Sequence, residues 1–274
     1  MRRLLLLAML VTALSASARR AFEVPLWEHP EDSPGGTYTP VMYCYLPDNP
    51  NGVTILMCPG GGYQTLALEE EGTAMADWFN EQGITYVVLK YRLPHDRVNY
   101  PKADAQHAML RIRASAKEWN IDPEKVGIMG ASAGGHLASS VATFPDNENM
   151  RPNFQVLLYP VITMDSKYTG KMTRRNLLGA YPTPLQVERY STDRRVDART
   201  PQCFIALSAD DSRVSPENAW LYFTALRKFN IPATLHIYPN GGHGWGFRNG
   251  FTYKPEWTAE LAKWLRTSVN PEPK

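Results

Sequence analysis

Cysteine is scarce: Cys44, Cys58 and Cys203 are the three in 274 residues, an odd number at wide spacing that makes neither a disulfide framework nor a zinc motif. Thiol redox chemistry is therefore not expected. An excess of one charge is missing as well, with 29 Lys and Arg against 27 Asp and Glu. Nucleic-acid binders carry a basic excess to neutralise phosphates, so no nucleic-acid partner is expected. Repeats and low-complexity linkers are also missing, and residues 19–274 are read as one domain large enough to bury a core unaided.

Long apolar runs are lacking, apart from one at the start. Leu4 to Leu14 follows the basic Arg2 and Arg3 and precedes the small-x-small pattern Ala16-Ser17-Ala18. This run is well short of the roughly 20 apolar residues that span a bilayer. Residues 1–18 are accordingly expected to be a cleaved secretory signal peptide, giving a secreted or periplasmic protein without a membrane contact. Arg2 and Arg3 would leave with the leader, and 29 less 2 gives 27 positive charges against 27 negative.

What is present is an alternation. After a Pro- and Gly-rich lead-in at residues 30–40, short apolar runs stand at Val41–Leu46, Val53–Cys58, Ile84–Leu89, Val126–Met129, Phe154–Tyr159, Cys203–Leu207 and Thr234–Tyr238. Between them, apolar residues recur at helical steps: Ala105, Ala108, Met109, Ile112, Ala116 and Trp119; Ala219, Tyr222, Phe223 and Leu226; Trp257, Leu261, Trp264 and Leu265. Strands alternating with helices predict an α/β fold with a mostly parallel sheet and helices on both faces. Active groups in such a sheet sit at the carboxyl ends of the strands.

Three motifs fall there. Gly130-Ala131-Ser132-Ala133-Gly134 follows one strand and opens a helix, the context in which G-x-S-x-G presents a nucleophilic serine. A serine hydroxyl needs a base and a group to orient that base. His243, in Gly241-Gly242-His243-Gly244-Trp245, follows the last strand, and Asp210-Asp211 follows the strand Cys203–Leu207. Asp211 is the chosen acid because Asp211-Ser212-Arg213-Val214 resembles a D-x-x-V acid turn; Asp210 is the alternative. His29, His95, His107 and His236 have unremarkable settings, His136 reads as a structural residue near the site, and no histidines pair at metal-ligand spacing. The third motif is Pro59-Gly60-Gly61-Gly62-Tyr63. It lacks the Lys-Ser/Thr of a P-loop and the spacing of a dinucleotide site, and its glycines suit an oxyanion hole with amide donors from Gly61, Gly62 and Ala133.

These stretches, with Leu89-Lys90-Tyr91-Arg92-Leu93-Pro94 and His236-Ile237-Tyr238-Pro239, make the chain resemble the α/β-hydrolase esterases. The resemblance is to the secreted bacterial group related to acetyl xylan esterases, some of which carry a xylanase label. It implies an α/β-hydrolase fold, a Ser132, Asp211, His243 triad, no metal or organic cofactor, and an acylated carbohydrate substrate bearing a short acyl group such as acetyl. One departure stands out: related esterases have His before the Gly triplet, where this chain has Pro59.

Tyr63 and Trp245 neighbour the oxyanion loop and the base, where an aromatic face suits stacking on a sugar; equally, both rings would simply cover the sheet edge. Thr163 to Thr200, rich in Arg, Asp and Thr, is a candidate lid. A prolyl-oligopeptidase-type serine peptidase and a non-catalytic carbohydrate-binding protein are the competing readings. A glycosidase would need two carboxylates in a sugar cleft and gives Ser132 and His243 no role.

Overall fold

Strands that are apolar throughout need cover on both faces, and the chain is built around such strands. The computed structural model describes residues 20–28, 40–95 and 97–271. The expected leader, His29 and most of the Pro- and Gly-rich lead-in lie outside them.

In chain order the elements are β1 (Arg20–Pro25), β2 (Val41–Leu46), β3 (Thr54–Cys58), α1 (Ala76–Glu81), β4 (Thr85–Lys90), α2 (Tyr100–Ala114), α3 (Ala116–Trp119), β5 (Val126–Ala131), α4 (Ala133–Thr143), β6 (Phe154–Leu158), α5 (Lys171–Leu178), α6 (Pro184–Tyr190), β7 (Gln202–Ser208), α7 (Glu217–Lys228), β8 (Ala233–Tyr238) and α8 (Lys254–Trp264). Among the described residues the strands form one eight-stranded sheet in the order β1-β2-β4-β3-β5-β6-β7-β8. β2 pairs antiparallel with β1 and β4, and every later pairing is parallel.

All residues of β3, β5 and β6 are buried. Neighbouring side chains on a strand point to opposite faces, and β6 shows what covers each. Phe154 meets Trp264 of α8 edge-on at 6.0 Å, whereas Gln155 accepts a 2.9 Å hydrogen bond from Tyr222 of α7. Helices therefore lie on both faces, as expected.

Two details differ from the sequence reading. β1 was not foreseen: it is an edge strand, paired on one side with β2, and only Phe22 and Val24 of its six residues are even partly buried. The helical stripe from Ala105 to Trp119 is two helices, interrupted at Ser115. The three cysteines are buried free thiols, with Cys44 pushed up to about 12 by burial. No helix among the described residues is long and apolar enough to cross a membrane.

Candidate active site

β5 passes into α4 through one residue. Ser132 has φ 53° and ψ −120°, a backbone region that costs an L-residue on the order of 1–3 kcal/mol and persists only where surroundings impose it. Here they do. The Ser132 N–H donates to the Leu158 carbonyl at 3.0 Å, and its own carbonyl accepts from the N–H groups of Gly135, His136 and Val161. The flanking glycines answer to packing, since a Cβ on Gly130 would run into the Gly134 carbonyl and one on Gly134 into that of Cys58. Only small residues let the helix press this closely on β3 and β5.

His243 stands on the loop after β8, where Gly241, Gly242 and Gly244 all have positive φ. Its Nε2 lies 2.8 Å from Ser132 Oγ, and its Nδ1 lies 2.6 Å from Asp211 Oδ2. The other oxygen of Asp211 accepts from the backbone N–H groups of Arg213 (2.9 Å) and Val214 (3.0 Å), so the D-x-x-V turn holds the carboxylate by its own amides. Asp210 turns the other way. It accepts from the N–H groups of Gly242 (2.8 Å) and Gly241 (3.3 Å) and pins the loop that carries the imidazole.

The glycine loop after β3 faces the same space. Gly61 has φ 128° and Gly62 φ 63°, and a Cβ on Gly61 would collide with the Thr65 carbonyl. The Gly60 N–H is taken by Glu71, 2.8 Å away, whereas no hydrogen bond occupies the amides of Gly61 and Gly62 among the described residues. Ala133 is the first residue of α4, and a helix leaves its first amides without an internal acceptor. The loop that carries Pro59 in place of His is supported by Tyr91, whose hydroxyl donates to the Pro59 carbonyl at 2.7 Å. Tyr91 belongs to the Tyr91-Arg92-Leu93-Pro94 stretch, and beside it the buried Arg92 pairs with Asp104 of α2.

Ser132, His243, Gly61 and Gly62 line one cleft of about 710 Å³. Its outer wall includes Lys171, Met172 and Thr173 at the start of α5, and Asn176 of the same helix donates to the Gly62 carbonyl at 2.8 Å. The segment Thr163 to Thr200 thus supplies a wall. Its remainder is anchored on α4, where Ser139 donates to Thr192 and His136 meets the Tyr190 carbonyl at 2.7 Å.

The aromatic pair expected to stack on a sugar does not offer open faces. Tyr63 and Trp245 are each 3% exposed. Tyr63 bonds His136 Nδ1 at 2.8 Å, and Trp245 stacks on Phe251 at 4.3 Å and donates to Ser208 Oγ at 3.1 Å. Both rings are packing elements, because each is buried and already spends its polar atom on a partner inside the protein. His136 is the structural residue expected: fully buried, with burial pushing it down to about 4.

Sequence reasoning missed Glu71 and Tyr159. Glu71, 5% exposed, accepts from Gly60 and from the Tyr159 hydroxyl at 3.0 Å. Burial raises its pKa, against the opposing hydrogen bonds of Tyr159 and Gly60 and the nearby His243 and Arg248. The sequence signal was slight: three consecutive glutamates, Glu69 to Glu71, in a loop of ordinary polarity.

Residues 55–247 match a family described as alpha/beta hydrolase fold. An acetylxylan esterase of Xylanibacter ruminicola is 43% identical over 237 residues, 84% of this chain and 49% of that protein. An endo-1,4-beta-xylanase B of Butyrivibrio fibrisolvens is 34% identical over 242 residues, 82% of this chain and 38% of that protein. The chain therefore spans half or less of the length of these curated relatives. The crystal structure of an acetyl ester-xyloside bifunctional hydrolase from Caldicellulosiruptor lactoaceticus superposes with a TM-score of 0.85 at 34% identity, covering 94% of this chain and 100% of that one. With a parallel-sheet core, a strained serine between β5 and α4, and a family match over most of its length, this chain belongs to the alpha/beta hydrolase family.

Proposed function

We propose that the chain is a serine esterase that hydrolyses short acyl esters, acetyl above all, on plant polysaccharides such as acetylated xylan or its oligosaccharides. The observation that carries this reading is the relay from Asp211 through His243 to Ser132, with separations of 2.6 and 2.8 Å. His243 Nε2 takes the hydroxyl proton as Ser132 Oγ attacks the ester carbonyl, and Asp211 holds the ring and stabilises the imidazolium. Negative charge developing on the carbonyl oxygen is met by the amides of Gly61, Gly62 and Ala133, each such donor being worth on the order of 3 kcal/mol. The imidazolium then protonates the departing sugar oxygen. Water, deprotonated by His243, releases the acyl group and restores Ser132.

The polysaccharide part of the reading draws on the Xylanibacter ruminicola acetylxylan esterase and the Caldicellulosiruptor lactoaceticus hydrolase. A polymer outside the cell also suits export through a leader at residues 1–18. The test is acetate release from acetylated xylo-oligosaccharides, with Ser132→Ala alongside. Release by wild type and a loss of at least about 10³-fold in Ser132→Ala is the expected result. Activity on an aryl acetate without release from the oligosaccharide would keep the esterase and remove xylan. Survival of activity in Ser132→Ala would remove Ser132 as the nucleophile.

A further inference from the structure

The oxyanion loop and the histidine loop grow from distant strands. β3 carries the first and β8 the second, with β5, β6 and β7 between them. A shift of either loop by a fraction of an ångström would separate the amides from the base. One buried chain of hydrogen bonds spans the gap. The Gly60 N–H donates to Glu71 Oε2 at 2.8 Å, the Tyr159 hydroxyl donates to Glu71 Oε1 at 3.0 Å, and the Gly246 N–H donates to that hydroxyl oxygen at 2.9 Å. Gly60 directly precedes the expected donors Gly61 and Gly62, and Gly246 lies three residues beyond His243.

Further contacts fix the same strap. The Phe247 N–H donates to the Glu70 carbonyl at 3.1 Å, and a Cβ on Gly246 would run into that carbonyl. Tyr159, at the carboxyl end of β6, also sets its ring edge-on to His243 at 4.9 Å. Although Glu71 borders the cleft, both its oxygens already accept hydrogen bonds, so it is not placed as a second proton donor.

We propose that Glu71, acting through Tyr159, is a positioning residue that holds the oxyanion amides and the base at their working separation. The inference rests on the esterase reading above. Glutamine is the informative replacement, because at nearly unchanged volume it keeps one acceptor oxygen and turns the other into a donor, so either the Gly60 N–H or the Tyr159 hydroxyl proton loses its acceptor.

The experiment measures kcat, KM and Tm for aryl acetate hydrolysis by the full chain, its Glu71→Gln and Tyr159→Phe variants and the double variant. Inhibition by a small alkyl boronic acid, whose serine adduct mimics the tetrahedral intermediate, is measured on the same set. Loop misplacement should lower kcat of Glu71→Gln on the order of 10²-fold, with KM within about threefold and boronate affinity falling in step with kcat/KM. Tyr159→Phe should lose about tenfold, and the double variant little more than Glu71→Gln, as members of one network do. Unchanged kcat in Glu71→Gln, a loss residing in KM, or strictly additive losses would overturn the proposal. If Glu71→Gln fails to fold, Tyr159→Phe decides alone, since it removes one hydroxyl and leaves the bond from Gly60 to Glu71. Ser132→Ala separates the two claims: activity that survives it sinks the esterase reading, and with it the strap, whereas activity lost in Ser132→Ala but kept in Glu71→Gln sinks only the strap.

Discussion

His136 and His243 both lie within reach of the serine turn, and both have each ring nitrogen engaged. His243 spans a carboxylate and a hydroxyl, Asp211 and Ser132, at the wall of an open cleft. His136 spans a hydroxyl and a carbonyl, those of Tyr63 and Tyr190, with the ring fully buried. A neutral imidazole satisfies the second setting completely, the Tyr63 hydroxyl donating to Nδ1 and Nε2–H donating to the carbonyl. A proton gained there would have no carboxylate to balance it, which is why burial pushes His136 down to about 4. A histidine becomes a useful base only where a carboxylate backs it and a substrate can reach it.

The comparison breaks most sharply at His243. Its replacement by alanine should reduce kcat for ester hydrolysis by at least about 10³-fold, whereas His136→Gln should stay within about tenfold if folded. Steady-state rates of the two variants at one pH decide this, and equal losses would end the distinction. Next in size is the pair of adjacent carboxylates. Asp211→Asn should cost on the order of 10³- to 10⁴-fold, because an amide can leave the imidazole in the wrong tautomer. Asp210→Asn should cost about tenfold or less, since it only loosens the loop at Gly241 and Gly242. A larger effect at Asp210 would reverse the choice of acid.

The smallest effect concerns stability. His136 has a folded pKa of about 4 against an ordinary 6.5, so the unfolded chain binds the extra proton. Its contribution is intact above about pH 6.5 and is lost progressively as pH falls toward 4, by about 3 kcal/mol in all. Denaturant unfolding at pH 7 and pH 4.5 should show a shallower acid loss in His136→Gln than in wild type. Identical slopes would mean that His136 is not the group responsible.

Much of this was legible in the sequence for identifiable reasons. The runs at β3, β5 and β6 read as strands because a parallel sheet covered on both faces permits no polar alternation. Ser132 and its glycines read as a tight strand-to-helix turn because backbone crowding leaves no room for larger residues at Gly130 and Gly134. The D-x-x-V turn at Asp211 read as a turn because its amides follow two and three residues later and return to the carboxylate, a local pattern that Asp210 lacks. β1 was not legible: Arg20–Pro25 is an edge strand with little buried surface to leave an apolar trace. Nor was the fate of Tyr63 and Trp245, since an aromatic beside a glycine-rich loop looks the same in sequence whether it faces solvent or the interior.

The sequence by itself determined the layered α/β architecture, the placing of Ser132, Asp211 and His243 each just after a strand, and the glycines that free a backbone to curl at the strand ends. These are local properties of periodicity, sterics and turn chemistry. Only the tertiary structure decided that Glu71, rather than Glu69 or Glu70, turns inward to meet Gly60 and Tyr159, and that Tyr159 bridges the gap between the loops of β3 and β8. Those contacts join residues 60, 71, 159 and 246. Such pairings depend on which strand lies beside which, and hydrogen-bond partners so far apart in the chain leave no mark on the spacing of either one.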